Sequence, residues 1–316
     1  MTSHRNGSTE VSDFLLNCFV RSPNWQLWLS LPLSLFFLLA MGANATLLIT
    51  IRLEVSPREL MYYLLSLLSL LDMVICLTVI PEVLAIFWFD LRPISFVASF
   101  VQMYIMNYFL AMESCTFMIM AYEYVAICYP LQYSSIVTET FVIKVTLSMM
   151  LRNGLLIIPV PVLAAQRHYC SRNEIDHCLC SNLGVTSLAC DDITINRFYH
   201  LALAWFMVGS DMGLVFASYM LIIRSVLRLN SAEATSKALS TCSSHLTLIL
   251  FFYTAIIVVS VTHLAGRKFP IIPVLLNVLH SVIPPALNPM VYALRTQELR
   301  VGFQRLFGLG ENMSRK

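Results

Sequence analysis

Five charged side chains interrupt stretches that are otherwise apolar. Asp72 sits in LSLLSLLDM, Glu113 in AMESC, Asp211 in a third apolar run, and Lys144 and Arg152 together in a fourth. A charge inside such a run is costly in lipid, so each is a candidate for function. Lys144 lies near the end of its run, where a lysine snorkels to the surface. Arg152, beside Asn153, reads as a partner of backbone carbonyls inside a helix bundle. Asp72 and Glu113 form the more chemical pair. Two carboxylates near one site either share a proton or bind a cation, and oxygen ligands suit a hard cation. The competing reading is a hydrogen-bonded pair with no ion.

Four of the 9 cysteines fall between positions 170 and 190. Such a cluster is either a disulfide framework or a set of metal ligands, and a polar loop between apolar runs favours disulfides. Near the C-terminus the chain reads Pro284-Pro285-Ala286-Leu287-Asn288-Pro289-Met290-Val291-Tyr292. Each proline removes a helix donor and frees a carbonyl, so this segment can kink. No HExxH, GxSxG or paired catalytic Asp motif is present, so an enzyme is not expected.

The elements that must position these groups follow from composition. The 316 residues are 58% hydrophobic and 12% charged, whereas soluble domains are nearer 25% charged. The net charge of +2 implies neither nucleic acid nor an acidic partner. Seven runs reach the roughly 20 residues a span needs: 27–51, 60–86, 97–121, 141–163, 197–223, 238–262 and 271–294. Lipid offers no partner for backbone groups, so each must be a helix. The expected fold is an all-α, seven-transmembrane-helix bundle over 27–294. Segment 1–26 precedes it and a tail, 295–316, follows. In the tail, Leu299, Phe303, Leu306 and Phe307 interleave with Arg295, Arg300 and Arg305, which predicts a short amphipathic helix on the inner membrane surface.

The first run is long enough to span, which makes it the first helix rather than a leader. Orientation rests on three signals. Ten Lys and Arg fall in the segments assigned to the cytosol against eight on the other side. The cysteine loop and the Asn6-Gly7-Ser8 glycosylation pattern fall together on that other side. Both want the oxidising, glycosylating compartment, so the N-terminus is expected outside, with Asn6 glycosylated.

Several motifs carry a family resemblance. Met120 to Tyr133 reads MAYEYVAICYPLQY, and Lys237 to Leu246 reads KALSTCSSHL. Ser218-Tyr219, Asn44, Leu60-Met61-Tyr62-Tyr63 and Asn288-Pro289-x-x-Tyr292 add to these. Together they resemble the olfactory receptors, a branch of the rhodopsin-like G-protein-coupled receptors. His177-Cys178-Leu179-Cys180 and its long loop look like the class I, fish-like branch. The resemblance implies a small-molecule odorant as ligand and an olfactory-type stimulatory G protein acting through cAMP. It places the receptor in the plasma membrane and its ligand between helices 3, 5, 6 and 7. Met106, Asn107, Leu110 and Ala111 would face the ligand from helix 3, and Leu203 and Met207 from helix 5. Tyr253, Ile256, Ile257 and Ser260 would do so from helix 6. Glu123, Tyr124, Tyr219, Asn288, Pro289 and Tyr292 would form the switch that reaches the G protein. A sodium ion at Asp72 and Glu113 would favour the resting state, and no other cofactor is implied.

Two departures from the family pattern stand out. The family reads MAYDRYVAIC where this chain reads MAYEYVAIC. Glu123 stands for the aspartate, and the arginine after it is missing, so the chain is one residue short. At the outer end of helix 3 the family carries a cysteine; this chain has Ser99 there. Its usual partner would be Cys180. Cys170 and Cys190 remain as an intraloop pair, with Cys178, Cys180 and Cys18 left over. Two other readings stand beside the odorant receptor. One is a receptor-like variant that does not signal. The other is a transporter, which would want inverted repeats, and none is visible.

Overall fold

A computed structural model describes residues 12–19, 23–54, 60–128, 139–170, 172–226, 243, 246–254, 256–258, 271–295 and 297–306, without the side chains of 23, 54, 60, 121–128, 139, 225–226, 271–273, 293–295, 297–298 and 306. The apolar runs are helices. They are α1 (Pro23–Glu54), α2 (Leu60–Phe89), α3 (Phe96–Cys128), α4 (Glu139–Ile157) continued by α5 (Pro159–Ala165), and α7 (Thr194–Val226). Leu246–Val258 forms α8. The last run is split into α9 (Ile271–His280) and α10 (Ile283–Arg295), and the tail contributes α11 (Gln297–Leu306). A short α6, Asn182–Thr186, lies in the cysteine loop.

Leu27, Trp28, Phe198 and Phe216 are all more than two-thirds exposed. In water such helices would aggregate; in a bilayer the same faces meet lipid. The polar groups turn inward instead, and Asn44, Asp72, Glu113, Asn153, Asp211 and Asn288 are all buried.

Two apolar clusters fill the bundle. One lies toward the cysteine loop and contains Phe14, Val79, Met103, Cys178 and Val185. The other contains Leu65, Phe117, Tyr219, Phe252, Tyr292 and Leu299. They define a loop end and a tail end. At the tail end Leu299 is fully buried while Arg300 is exposed, the amphipathic pattern expected of α11.

The loop end carries β structure that an all-helix expectation does not contain. Strands β1 (Asp13–Leu16), β2 (Pro93–Ser95) and β3 (Glu174–Ile175) form a sheet in the order β2-β1-β3. β1 runs antiparallel to β2, with Asp13 opposite Ser95, and parallel to β3, with Leu15 opposite Glu174. Phe14 hangs from the sheet into an aromatic cage of Phe96, Phe100 and Tyr169. The first helix also starts at Pro23, inside the segment expected to precede the bundle.

Candidate functional site

The loop end is tied by two disulfides. Cys170–Cys190 closes a turn within the loop, and Cys18–Cys178 joins the segment after β1 to the same loop. Cys180 is a buried free thiol. Its amide donates to Gln102 Oε1 at 3.1 Å, and Gln102 Nε2 donates to Glu82 of α2. Burial, with the Glu82 carboxylate adding to it, pushes the Cys180 thiol up. Ser99 lies one turn from Gln102 on α3 and gives its hydroxyl to its own helix, at Phe96 O, 2.7 Å. The loop therefore reaches the turn of α3 that carries Ser99, where a hydrogen bond stands in place of a covalent tie. His177 meets Asn277 of α9 at 3.1 Å and so joins the loop to the split seventh span.

Beneath this lid a polar knot joins three helices. Ser114 of α3 donates to the Asp211 carboxylate of α7. Its oxygen also lies 2.7 Å from the Tyr253 hydroxyl of α8; with Ser114 donating to the carboxylate, Tyr253 is the donor of that pair. All three are buried. Arg152 of α4 lies within electrostatic reach of Asp211. Its guanidinium touches the Met207 sulfur at 3.2 Å and stacks over the Phe206 ring at 5.8 Å. Asn153 points the other way, giving its amide to the sulfurs of Met112 and Cys115 at 3.4 Å each.

The residues expected to line a ligand site divide around this knot. Met106 and Leu203 pack half-buried on the loop-end cluster. Leu110 and Ile256 pack on the tail-end cluster. Asn107 bonds back to Met103 O at 2.7 Å, and Ala111 is half-buried beside it. Met207 and Tyr253 are buried at the knot itself. Ile257 is the one exposed member of this set among the described residues. It is 38% exposed and shares a face with Leu250, two turns earlier and also exposed. Ser260 and Asn6 lie outside the described residues.

A second polar cluster holds the split seventh span. Asn288 Nδ2 donates to both oxygens of Asp72, at 3.1 and 3.4 Å. Pro289 has no N–H, so the carbonyl of Pro285 loses its helix donor; Asn44 Nδ2 supplies one at 2.8 Å. Pro285 frees the carbonyl of Ser281 in the same way, and the Cys76 thiol donates to it at 3.4 Å. Side chains of α1 and α2 thus supply the donors that Pro289 and Pro285 withhold. Glu113 is buried next to this cluster, but its Oε1 has no partner, and neither has Asn288 Oδ1. Unpaired buried acceptors are what a cation site requires, so the donor set fits a sodium ion. No group of three or more His, Cys, Asp or Glu suited to a metal occurs among the described residues.

At the tail end Tyr219 and Tyr292 are buried, and the Tyr292 hydroxyl meets the Met120 sulfur at 4.0 Å. Glu123 and Tyr124 continue α3 without interruption. Their side chains lie outside the described residues. Sequence reasoning passed over Ser114, Glu82 and Gln102. Glu82 carried the same signal as Asp72, an acid in an apolar helix; Ser114 carried none.

Comparison with known proteins is consistent with this architecture. The olfactory receptor family model matches residues 33–308. Mouse olfactory receptor 56B34 is 66% identical over 99% of this chain and 98% of its own length. Human olfactory receptor 56A3 is 63% identical over 98% of the chain and all of its own length. Human olfactory receptor 52K2 is 37% identical over 95% of the chain and 96% of its own length. These names agree with the class I branch. The chain belongs to the olfactory receptor family: it is a seven-transmembrane-helix, odorant-sensing receptor of the G-protein-coupled class and not an enzyme.

Proposed function

We propose that this receptor binds a small odorant above the Ser114–Asp211–Tyr253 knot and signals through an olfactory-type stimulatory G protein, with coupling impaired by the missing arginine. The observation that carries the reading is the knot itself. It ties α3, α7 and α8 through one serine hydroxyl, directly below Met207. A ligand that moves Met207 would press on Asp211 one turn along α7, and one that moves Leu203 would do so from two turns away. Arg152 lies within electrostatic reach of Asp211 and would offer it an alternative partner, the second arrangement that a switch needs. The second polar cluster would follow at Pro289, where the Asn44 amide stands in for the missing helix donor. A sodium ion held by Asp72 and the free oxygen of Glu113 would bias that cluster toward rest.

The N-terminus would lie outside the plasma membrane, on the side of the disulfides. Residues 27–294 would form the receptor domain and 295–316 the inner tail. If so, glycosidase digestion shifts the wild type on a gel and leaves Asn6→Gln unchanged; a wild type that does not shift contradicts the topology. The second reading, a variant that binds without signalling, is favoured by one observation: Tyr124 follows Glu123 with no arginine between them. An odorant panel with a cAMP readout and a surface-labelling control separates the two. A response above that of untransfected cells supports signalling. Surface display with no response to any compound supports the second reading.

A further inference from the structure

The inward face of α7 runs down Asn196, His200, Leu203, Met207 and Asp211, spaced by 4, 3, 4 and 4 residues. Its lower members reach the knot. At its upper end Asn196 is only 2% exposed. Both ends of its amide, Nδ2 and Oδ1, have no hydrogen-bond partner. Buried polar groups are paired in the great majority of cases, and an amide with donor and acceptor both unmet stands out. The neighbours on the helix do not explain it. Arg197 and Phe198 point outward, and Tyr199 gives its hydroxyl to Leu156 O of α4 at 2.8 Å. Asn196 is not a cap either. The start of α7 is held by Asp192, whose Oδ1 accepts from the Thr194 amide at 2.9 Å and its hydroxyl at 2.6 Å.

We propose that Asn196 is the polar recognition group of the ligand site, reading an uncharged ligand group that both donates and accepts a hydrogen bond. This deepens the odorant-binding reading and rests on it. The chemistry follows from the amide. A carboxamide offers a donor and an acceptor side by side, so it matches an alcohol, an amide or a protonated acid better than a hydrocarbon or an ester. It carries no charge to neutralise a carboxylate. Arg167 is paired with Asp191 at 3.3 Å, and Glu82 accepts from Gln102. The apolar stretch at Leu203 and Met207 below would take the ligand's carbon skeleton. A site that hydrogen-bonds a ligand group rejects the analogue lacking it, because its own polar atoms are then left unmet.

The test uses the full-length receptor, purified in detergent, and reads thermal stability, so it does not depend on coupling. The compounds share one medium-length carbon skeleton and end as an alcohol, an amide, a methyl ester, a carboxylate or the bare hydrocarbon. The alcohol or amide should raise the wild-type melting temperature more than the ester, carboxylate and hydrocarbon do. Asn196→Leu should melt no lower than wild type without ligand, since it removes an unmet amide. It should also lose at least tenfold in apparent affinity for the stabilising compound. Asn196→Asp, nearly the same shape, should lose affinity too, and serves if the leucine variant does not fold. Three results would overturn the proposal: a leucine variant less stable than wild type without ligand, undiminished ligand stabilisation in either variant, or a wild type that responds to none of the compounds or equally to all. Stabilisation by the alcohol with no cAMP response would count against signalling and leave the role of Asn196 standing.

Discussion

The two ends of α3 each lack a residue that the family pattern supplies, and they differ in what surrounds the gap. At the loop end Ser99 stands for a cysteine. The loop is nevertheless held, by Cys18–Cys178, by Cys170–Cys190, and by the Cys180 amide on Gln102. At the tail end the arginine after Glu123 is absent, and the buried groups described at that end include Tyr219, Tyr292 and Met120. None of these three carries a positive charge. The contrast separates two kinds of role. A lid needs only to be held, and several different bonds can do that. An ion-pairing switch needs a charged donor in one place, and packing does not replace it.

The comparison can be broken at the loop end. Cys18→Ser should give the largest effect there. It releases β1 from a tie spanning 160 residues, and losing a native disulfide costs about 2–5 kcal/mol in small secreted domains. Surface labelling should fall severalfold. Adding Ser99→Cys to Cys18→Ser should restore most of it by joining α3 to Cys180. If the double variant stays at the level of Cys18→Ser, the two ties are not interchangeable. Ser114→Ala should be next, lowering stability by about 1–3 kcal/mol, because it leaves the Asp211 carboxylate and the Tyr253 hydroxyl short of a partner. A melting curve unchanged from wild type would show that the knot does not hold the helices. Ser99→Cys alone should raise surface level only modestly, since the lid is already tied; a large rise would mean that Cys18–Cys178 is a poor substitute.

The smallest effect is at the start of α7. The Thr194 hydroxyl and amide hold the Asp192 carboxylate below its ordinary 3.8. A depressed carboxylate pKa favours the folded state above the unfolded value and loses that contribution as pH falls through the folded one. Asp192→Asn should therefore reduce stability slightly at neutral pH and leave it unchanged well below pH 3.8. A difference that persists undiminished in acid would assign the effect to something other than this charge.

The bundle was legible because apolar length is a direct demand of lipid, and α11 because its arginines and leucines alternate at helical spacing. The sheet was not. β1 is a four-residue strand in a polar segment, and its partners are loops far along the chain. Asp72 and Asp211 announced themselves as charges in apolar runs, yet sequence could not say that Asp72 would meet Asn288 and Asp211 would meet Ser114. Periodicity gives the face of a helix but not the neighbour across from it. Asn196 escaped notice because an asparagine near a helix start reads as an ordinary polar end residue until its burial is known.

The most direct test is to insert Arg between Glu123 and Tyr124. The insertion restores a guanidinium and also turns everything after it by roughly 100°, back to the faces the family uses. The measurement is ligand-stimulated cAMP at matched surface levels, with thermal stability of the purified receptor as a control. A response raised at least tenfold over the parent, with the loop end and its disulfides unchanged, is the predicted result. Equal responses from the parent and the insertion variant would show that the tail end, like the loop end, has made good its loss.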